Sequence, residues 1–295
     1  MGVPFETLDY IYGKSRNFDT LNKNLAAAVL EAAKGGDIVY CVDGSVAEDV
    51  SAQIVLRKGK DVRVFGGVSK ADAAFSAAKI FSRDRTALSA YALAERERPT
   101  LPLAVYDLDG DLVAGDAKLC LCEWFGDETP AFFVRGGKAV RIRLYETDRQ
   151  KGYDPSCAVV IGEIPLLQRT RFGYSDLVEI LRLLRAPNGC PWDRAQTHES
   201  LRTCLLEECY EVVEAIDEKD SFQLADELGD LLMQVCIHAK IAEKHGEFDA
   251  LDVSTEISRK MIRRHPNIFG SGDGAESWEE LKRREKPWES YAAAL

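Results

Sequence analysis

Long apolar runs are absent from the sequence. No segment approaches the roughly 20 consecutive apolar residues that a membrane-spanning helix requires. The opening residues, MGVPFETLDY, also lack the basic segment and apolar stretch of a secretory signal. We therefore expect a cytoplasmic protein that has no membrane partner.

Cysteine pairs of the Cys-x-x-Cys type are also missing, although the chain has eight cysteines. The four histidines are scattered along the sequence, so the spacing argues against a zinc site. A chain that is long enough to bury its own core does not need a disulfide framework. In a reducing compartment the cysteines are expected to be free thiols, many of them buried.

The sequence has fewer basic than acidic residues. The sequence has 38 Lys and Arg residues against 49 Asp and Glu residues, which gives a formal net charge of −11. A broad nucleic-acid surface requires clustered cations, so we expect no nucleic-acid partner. A small phosphorylated substrate is compatible with this balance, because a divalent cation and a few local basic residues can offset its charge.

The chain is expected to form two domains, because 295 residues is long for a single compact core. Strand signals end near Gln168–Gly173, and only helical signals follow. We therefore predict an α/β domain over residues 1–168 and an all-α domain over residues 172–290.

The first part alternates helices with strands. Apolar residues at helical spacing predict helices at Asn17–Lys34, Val46–Leu56, Lys70–Ile80 and Asp116–Trp124. Short apolar runs predict strands at Asp37–Val42, Asp61–Phe65, Leu103–Tyr106, Phe132–Val134, Val140–Tyr145 and Ala158–Ile161. The early alternation indicates parallel pairing, whereas the glycine turn Arg135-Gly136-Gly137 favours antiparallel pairing of the later strands.

The second part carries helical signals alone. The predicted helices lie at Ser175–Leu184, Glu199–Asp217, Phe222–His245 and Val253–Arg264. A fifth short helix is predicted to begin at Ser277, where Glu280 completes a capping box. Asp220 with Gln223 gives a related start signal for the third helix.

Two pairs of carboxylates mark consecutive helices of the second part. Glu208 and Glu211 are one turn apart on the first, and Glu227 and Asp230 are one turn apart on the next. Each pair flanks a predicted apolar stripe. The stripe residues are Leu201, Leu205, Cys209, Val212 and Ile216 on the first helix and Leu224, Leu228, Leu231, Val235, Ala239 and Ala242 on the second. Packing these stripes as an antiparallel pair brings the four carboxylates together.

Four carboxylates this close repel one another and raise one another's pKa values unless a cation lies among them. Oxygen ligands without His or Cys suit Mg²⁺ or Mn²⁺. Glu207 adds a fifth carboxylate, for a second metal or for activating water. The same residue types also decorate the solvated flanks of ordinary amphipathic helices, so spacing alone leaves both interpretations open.

The surrounding residues resemble the MazG family of all-α nucleoside triphosphate pyrophosphohydrolases, over about Tyr174–Trp288. The family pattern E-E-x-x-E followed by E-x-x-D appears here at residues 207–211 and 227–230. Further matches are N-G-C-P-W-D-R-A-Q-T-H at Asn188–His198, K-M-I-R-R-H-P-N-I-F at Lys260–Phe269 and W-E-E-L-K at Trp278–Lys282. Asn267 departs from the family, which commonly has a histidine there.

The resemblance implies hydrolysis of a nucleoside triphosphate to monophosphate and pyrophosphate, with house-cleaning of non-canonical triphosphates as a role. It implies that Mg²⁺, with Mn²⁺ as an alternative, is the cofactor. The implied metal ligands are Glu208, Glu211, Glu227 and Asp230. Glu207 or a neighbouring ligand would accept a proton from the attacking water. The family also self-associates, so the resemblance implies a homodimer or a larger homo-oligomer.

The resemblance implies substrate-binding residues as well. Lys260 and Arg264 are four residues apart on one helix, so both cations point the same way and can hold the triphosphate. Trp278 and Lys282 repeat that spacing and offer an aromatic face and a cation. Trp192 can stack on a base, or it can anchor its own loop.

Residues from about 5 to 165 resemble the later part of the tetrapyrrole (corrin/porphyrin) methylase fold. The matching stretches include Gly36–Ser45, Val64–Phe75 and L-P-L-A-V-Y-D-L. The chain begins after the point where the glycine-rich loop for S-adenosylmethionine would lie. Residues 42–45 also lack the His and Pro of the family's Pro-Gly-His-Pro-like turn. We therefore expect a truncated, non-methylating domain with a structural, dimerising or regulatory role.

Two other functions compete with hydrolysis. The first is S-adenosylmethionine-dependent methyltransferase activity in the first domain, which the missing loop argues against. The second is a non-catalytic nucleotide-binding scaffold. The carboxylates argue against a scaffold, because pure binding has no need for that much clustered negative charge.

Overall fold

A computed structural model describes residues 5–270, and the chain divides into two compact units, Met1–Arg171 and Phe172–Leu295. The first unit contains a mixed β-sheet with helices, and the second is helical. The predicted combination of an α/β part and an all-α part is confirmed. Within residues 5–270, no helix combines the length and the apolar character needed to cross a membrane.

The first unit has five helices and five strands among the described residues. The helices are α1 (Asp9–Tyr12), α2 (Phe18–Ala32), α3 (Val50–Lys58), α4 (Lys70–Ala77) and α5 (Asp111–Phe125). The strands are β1 (Thr86–Ser89), β2 (Leu103–Tyr106), β3 (Pro130–Arg135), β4 (Lys138–Arg143) and β5 (Ala158–Ile161). The strand order is β1-β2-β5-β3-β4, and only the β1–β2 pair is parallel.

The central strands β2 and β5 are buried on both faces. Val105 and Val159 belong to one core cluster with α5, whereas Ala104 and Val160 belong to a second cluster with Phe75 of α4. Because successive side chains of a strand point to opposite faces, a continuous apolar run suits a strand covered on both sides. The sheet is therefore the middle layer between α4 and α5.

The hairpin between β3 and β4 turns at two glycines. Gly136 and Gly137 have φ angles of 53° and 74°, and Arg135 pairs with Lys138 across the turn. Two successive residues with positive φ define the type I′ turn that matches the twist of paired strands. The predicted antiparallel pairing at this turn is confirmed.

Two predicted strands, Asp37–Val42 and Asp61–Phe65, are wrong. Neither segment joins the sheet, and Val39 and Phe65 are 81% and 80% exposed. An apolar run forms a strand only where a neighbouring strand supplies hydrogen bonds, and no described strand pairs with these segments. The short strand β1 was not predicted, because TALS carries little apolar signal.

The second unit contains six helices among its described residues, including four of those predicted. They are α6 (Tyr174–Leu184), α7 (Pro191–Ala195), α8 (Arg202–Glu218), α9 (Ser221–His245), α10 (Ala250–Arg263) and α11 (Pro266–Phe269). The core cluster joins Leu181 of α6 to Ile237 and Ile241 of α9. The predicted helix at Ser277 lies outside the described residues.

A two-residue turn connects α8 to α9. Lys219 ends α8 in the left-handed conformation, with φ of 59°. Asp220 then caps α9, since its side chain accepts hydrogen bonds from the backbone N–H groups of Phe222 and Gln223. This turn reverses the chain, so that α8 and α9 pack against each other.

Candidate metal centre

Carboxylates from α8 and α9 meet where the two helices pack. Glu208, Glu211 and Glu227 each offer an oxygen atom, and these atoms lie within 4.8 Å of one another. Glu208 also lies next to Gln234. Earlier residues of α8 therefore face later residues of α9, which is the antiparallel arrangement that the spacing predicts.

The environment of Glu208 disfavours its negative charge. Burial raises the pKa of Glu208, and the charges of Asp230 and Glu211 raise it further, whereas a hydrogen bond from Gln234 lowers it. Asp230 is exposed and lies outside the three-carboxylate group, but its charge acts on Glu208. Uncompensated negative charge of this kind favours a cation.

Gln234 is a site residue that the spacing argument did not identify. Its side chain is buried, and its Nε2 lies 3.5 Å from Oε1 of Glu208. Its own Oε1 is buried without a hydrogen-bond partner in the described structure. Its position in the sequence could have identified it. Gln234 lies one turn beyond Asp230 and two turns beyond Glu227, so it continues the face of α9 that carries the carboxylates.

The predicted apolar stripes have the wrong phase. On α8, Cys209 and Ile216 are exposed, whereas Ala215 is fully buried. On α9, Leu228 and Val235 are exposed. Of the four carboxylates, two are half-buried where the helices meet and two are exposed.

The phase is wrong because α8 has apolar residues on more than one face. Leu206, Tyr210 and Val213 repeat at helical spacing and are exposed, with Tyr210 at 72%. Hydrophobic periodicity identifies the apolar faces but does not say which of them packs inside the unit.

The other predicted site residues lie at different positions in the second unit. Glu207 is exposed on α8, and Trp192 is exposed on α7. Lys260 is in the last turn of α10, which contacts α9, and Arg264 is its C-cap. Among residues 5–270, Lys260 makes no ion pair with the carboxylates. Trp278 and Lys282 lie outside the described residues.

The ligand set suits a hard divalent cation. Three carboxylates converge, and neither sulfur nor imidazole is among them. Oxygen-only sites of this kind bind Mg²⁺, Mn²⁺ or Ca²⁺ in preference to zinc. The raised pKa of Glu208 agrees with this assignment, because the charge of a cation would oppose the burial and the carboxylate repulsion that raise it.

Comparison with known proteins places this centre in a recognised domain. Residues 196–269 match the MazG nucleotide pyrophosphohydrolase domain, and this range contains all of the carboxylates described above. The chain is 50% identical over 115 residues to a nucleoside triphosphate pyrophosphohydrolase/pyrophosphatase MazG from Thermotoga maritima. It is 41% identical over 126 residues to a nucleoside triphosphate pyrophosphohydrolase from Escherichia coli. These alignments cover 38% and 40% of the chain.

A third relative matches both units. Protein YabN of Bacillus subtilis, described as uncharacterized, is 37% identical over 300 residues, which cover 94% of the chain. The chain spans 60% of that protein, 45% of the Thermotoga protein and 48% of the Escherichia protein. The similarity of the first unit is therefore to a protein whose name states no activity.

Proposed function

Given that its second unit contains a MazG nucleotide pyrophosphohydrolase domain, a domain of hydrolases, we propose that this chain hydrolyses nucleoside triphosphates to monophosphate and pyrophosphate. The observation that carries the proposal is the approach of Glu208, Glu211 and Glu227 to within 4.8 Å inside the matched range. Holding three carboxylates together costs free energy through their repulsion. A protein that only binds nucleotides gains nothing from that cost.

The proposed cofactor is Mg²⁺, with Mn²⁺ as a substitute, bound by Glu208, Glu211, Glu227 and Asp230. Asp230 belongs to this set because its charge acts on Glu208 and it lies one turn from Glu227. When bound, such a cation offsets the phosphate charges and lowers the pKa of water. Gln234 holds Glu208 in position by donating a hydrogen bond to it.

The chain's own residues supply the remaining chemistry. Water attacks the α-phosphorus and gives up one proton to Glu207. The bond from that phosphorus to the oxygen that bridges to the β-phosphate breaks, and pyrophosphate leaves. Lys260 and Arg264 orient the phosphates, and Trp192 stacks on the base. The corresponding roles of Trp278 and Lys282 stay predictions.

A pyrophosphate assay tests the proposal. The full chain is incubated with a panel of ribo- and deoxyribonucleoside triphosphates, including deaminated and oxidised bases, with and without Mg²⁺. We expect Mg²⁺-dependent pyrophosphate release, and preference for the altered bases if the role is house-cleaning. Asp230→Ala should abolish release, whereas Asp226→Ala, on the same helix, should retain it. Full activity of Asp230→Ala would contradict the mechanism.

We propose that the first unit is a tetrapyrrole methylase-like domain with a structural or regulatory role and no methylation. The support is the resemblance of its sequence segments and the mixed sheet between two helical layers. Titration of the full chain with S-adenosylmethionine tests the absence of methylation. Tight binding of S-adenosylmethionine would overturn it.

We also propose that the chain is a homodimer or a larger homo-oligomer that buries the apolar outer face of α8. This face consists of Leu206, Tyr210 and Val213, all exposed. Sedimentation of the wild type should give at least twice the monomer mass. Tyr210→Glu places a charge at the centre of this face and should yield monomers. A monomeric wild type would contradict the proposal.

A further inference from the structure

A second charged site lies at the other end of α9. A cavity of about 630 Å³ is bounded by the end of α6, the loop after it, α7 and the last turns of α9. Its charged lining residues are Arg182, Arg185, Arg194, Lys240, Glu243 and Lys244. Five cations and one carboxylate therefore share this cavity, in a chain whose net charge is −11.

This cavity, which we call the basic pocket, is separate from the metal centre. Lys240 follows Glu227 by 13 residues on α9, which at about 1.5 Å per residue is about 20 Å along the helix axis. A ligand in the basic pocket is therefore distinct from one held by the carboxylates.

Part of the positive charge in the basic pocket is already balanced. Arg182 contacts Glu179 at 2.6 Å, and Lys240 contacts Glu243 at 2.6 Å. Lys244 has neither a hydrogen bond nor an ion pair from its side chain within residues 5–270.

The two other arginines donate hydrogen bonds to backbone carbonyl oxygens. Nη1 of Arg194 donates to the carbonyl oxygen of Pro187 at 2.6 Å. Arg185 donates to the carbonyl oxygens of Asp193 and Gln196. Carbonyl oxygens satisfy the N–H groups of a guanidinium but do not cancel its charge. The charge of Asp193 acts on Arg185, so three carboxylates offset part of the charge of the five cations, and a positive excess is left at the cavity.

Helix ends account for some of these cations. The C-terminus of a helix favours Lys and Arg, and Arg182 and Lys244 lie in the last turns of α6 and α9. This effect places cations on each helix separately. It does not require that cations from three helices converge on one cavity.

The walls of the basic pocket are fixed before any ligand arrives. The backbone N–H of Cys190 donates to the carbonyl oxygen of Leu184 at 2.8 Å, which ties the loop to the end of α6. A Cβ atom on Gly189 would overlap that oxygen, so only glycine fits the turn. Leu181, Ile237 and Ile241 hold α6 against α9 underneath. A preformed site avoids the ordering cost of binding.

We propose that the basic pocket binds a small organic anion that carries two or more phosphate groups. Arginine forks and a free ammonium group are suited to phosphate oxygens. Pro187 and Pro191 add apolar surface for an organic part, and the volume lies in the usual range of about 300–1,000 Å³ for small-molecule sites. The proposal does not rest on hydrolysis at the metal centre.

Calorimetric titration of the full chain with ADP and with inorganic tripolyphosphate tests the proposal. EDTA is present throughout, so that the metal-free carboxylates repel both anions. We expect both to bind, ADP more tightly, with affinities that fall as salt is raised. Lys244→Glu should weaken binding at least tenfold without affecting folding, because Lys244 makes no side-chain bond within residues 5–270.

Arg202→Glu is the matched control. Arg202 is exposed at the start of α8, and within the described chain its side chain also has no partner. This variant should bind both anions as the wild type does.

Equal affinity of Lys244→Glu and the wild type would overturn the proposal. So would a wild type that binds neither anion, or one that binds only single-stranded DNA. Pyrophosphate release by Lys244→Glu should equal that of the wild type, so the two proposals fail separately.

Discussion

Two half-buried glutamates, one in each unit, have opposite electrostatic environments. Burial by itself raises the pKa of Glu48, but hydrogen bonds from Ser45, Lys70 and Ala71 outweigh it, and the net pKa is lowered. Burial also raises the pKa of Glu208, and there the charges of Asp230 and Glu211 raise it further, so the net pKa is raised. The first glutamate is satisfied by its own fold, whereas the second requires something that the fold does not provide. Unsatisfied charge is typical of functional sites.

The same contrast extends to packing. In the first unit Leu121 and Val159 are fully buried, and the sheet is covered on both faces. In the second unit the buried amide of Gln234 occupies the contact between two helices, while Tyr210 and Phe222 lie outside. Both units have an apolar core, but within residues 5–270 only in the second does a buried amide lie next to a group of carboxylates.

The largest expected effect is on activity. Glu208→Gln keeps the shape of the side chain but removes its charge, so pyrophosphate release should fall at least about 100-fold, since even outer-sphere changes cost about 10–100-fold. The free energy of unfolding should not fall, because the substitution relieves repulsion. Glu214→Gln, on the exposed side of the same helix, is the control and should retain activity. If Glu208→Gln kept its activity, the unsatisfied charge of Glu208 would have no role in hydrolysis, and the contrast with Glu48 would have no functional meaning.

Removing core volume from the first unit should lower stability and leave activity unchanged, which is the opposite of the result expected for Glu208→Gln. Leu121→Ala should lower the free energy of unfolding of that unit by about 2–5 kcal/mol, because it leaves a cavity beneath the sheet. The turnover of the protein that stays folded should be unchanged. Leu119→Ala, at an exposed position of the same helix, should cost far less in denaturant titration. Equal losses would show that the two positions are packed alike.

In contrast to Glu208, removing the charge of Glu48 should reduce stability. Glu48→Gln should destabilise the first unit by about 1–3 kcal/mol, because hydrogen bonds to a charged acceptor are lost. Since the folded-state pKa of Glu48 is lowered, the wild-type advantage is present above the ordinary pKa of about 4.3 and is lost as the pH falls through the folded-state pKa. Denaturant titrations at several pH values measure this. A pH-independent difference would contradict it.

Gln234 should affect metal affinity more than stability. Gln234→Leu removes the hydrogen bond that lowers the pKa of Glu208, so Mg²⁺ affinity should fall about tenfold. The loss should shrink as pH rises, because ionisation of Glu208 is then restored. A Mg²⁺ titration of activity across pH separates this role from a purely structural one, which would leave the pH dependence unchanged.

The smallest effect concerns a pair of stacked histidines. His198 and His238 approach to 2.7 Å between their Nδ1 atoms, and burial, then the charge of His198, lowers the pKa of His238. The unfolded chain therefore binds more protons, and stability should fall as pH drops below about 6.5. His238→Phe should flatten this slope between about pH 7.5 and 5.5 in thermal unfolding. An unchanged slope would assign the effect to other groups.

Local patterns predicted much of the fold from sequence. The strands at Leu103–Tyr106 and Ala158–Ile161 occur with the predicted bounds, and Asn17 caps α2 as the helix start requires. Asp37–Val42 was mispredicted because a strand depends on a neighbour that is distant in sequence. Local signals report what a segment favours but not whether a partner is present.

The candidate site was predictable in kind but not in detail. The spacing of Glu208, Glu211 and Glu227 is enough to place them on facing turns of two helices. The position of Gln234 and the phase of α8 depend on which apolar face of the helix packs inside the unit. The exposed face with Tyr210 is apolar too, so hydrophobic spacing alone does not decide this. The roles of the individual carboxylates in binding a metal stay predictions.

The two-residue turn at Lys219 and Asp220 also affects how the candidate metal centre forms. Every carboxylate of the cluster lies on one helical hairpin, so its contacts are close in sequence and form with little loss of chain entropy. Lys219 holds the reversal in a conformation that costs a side-chain residue some strain. The arrangement of the carboxylates is thus set by a two-residue connection, and its assembly does not wait for the slower pairing of the sheet in the first unit.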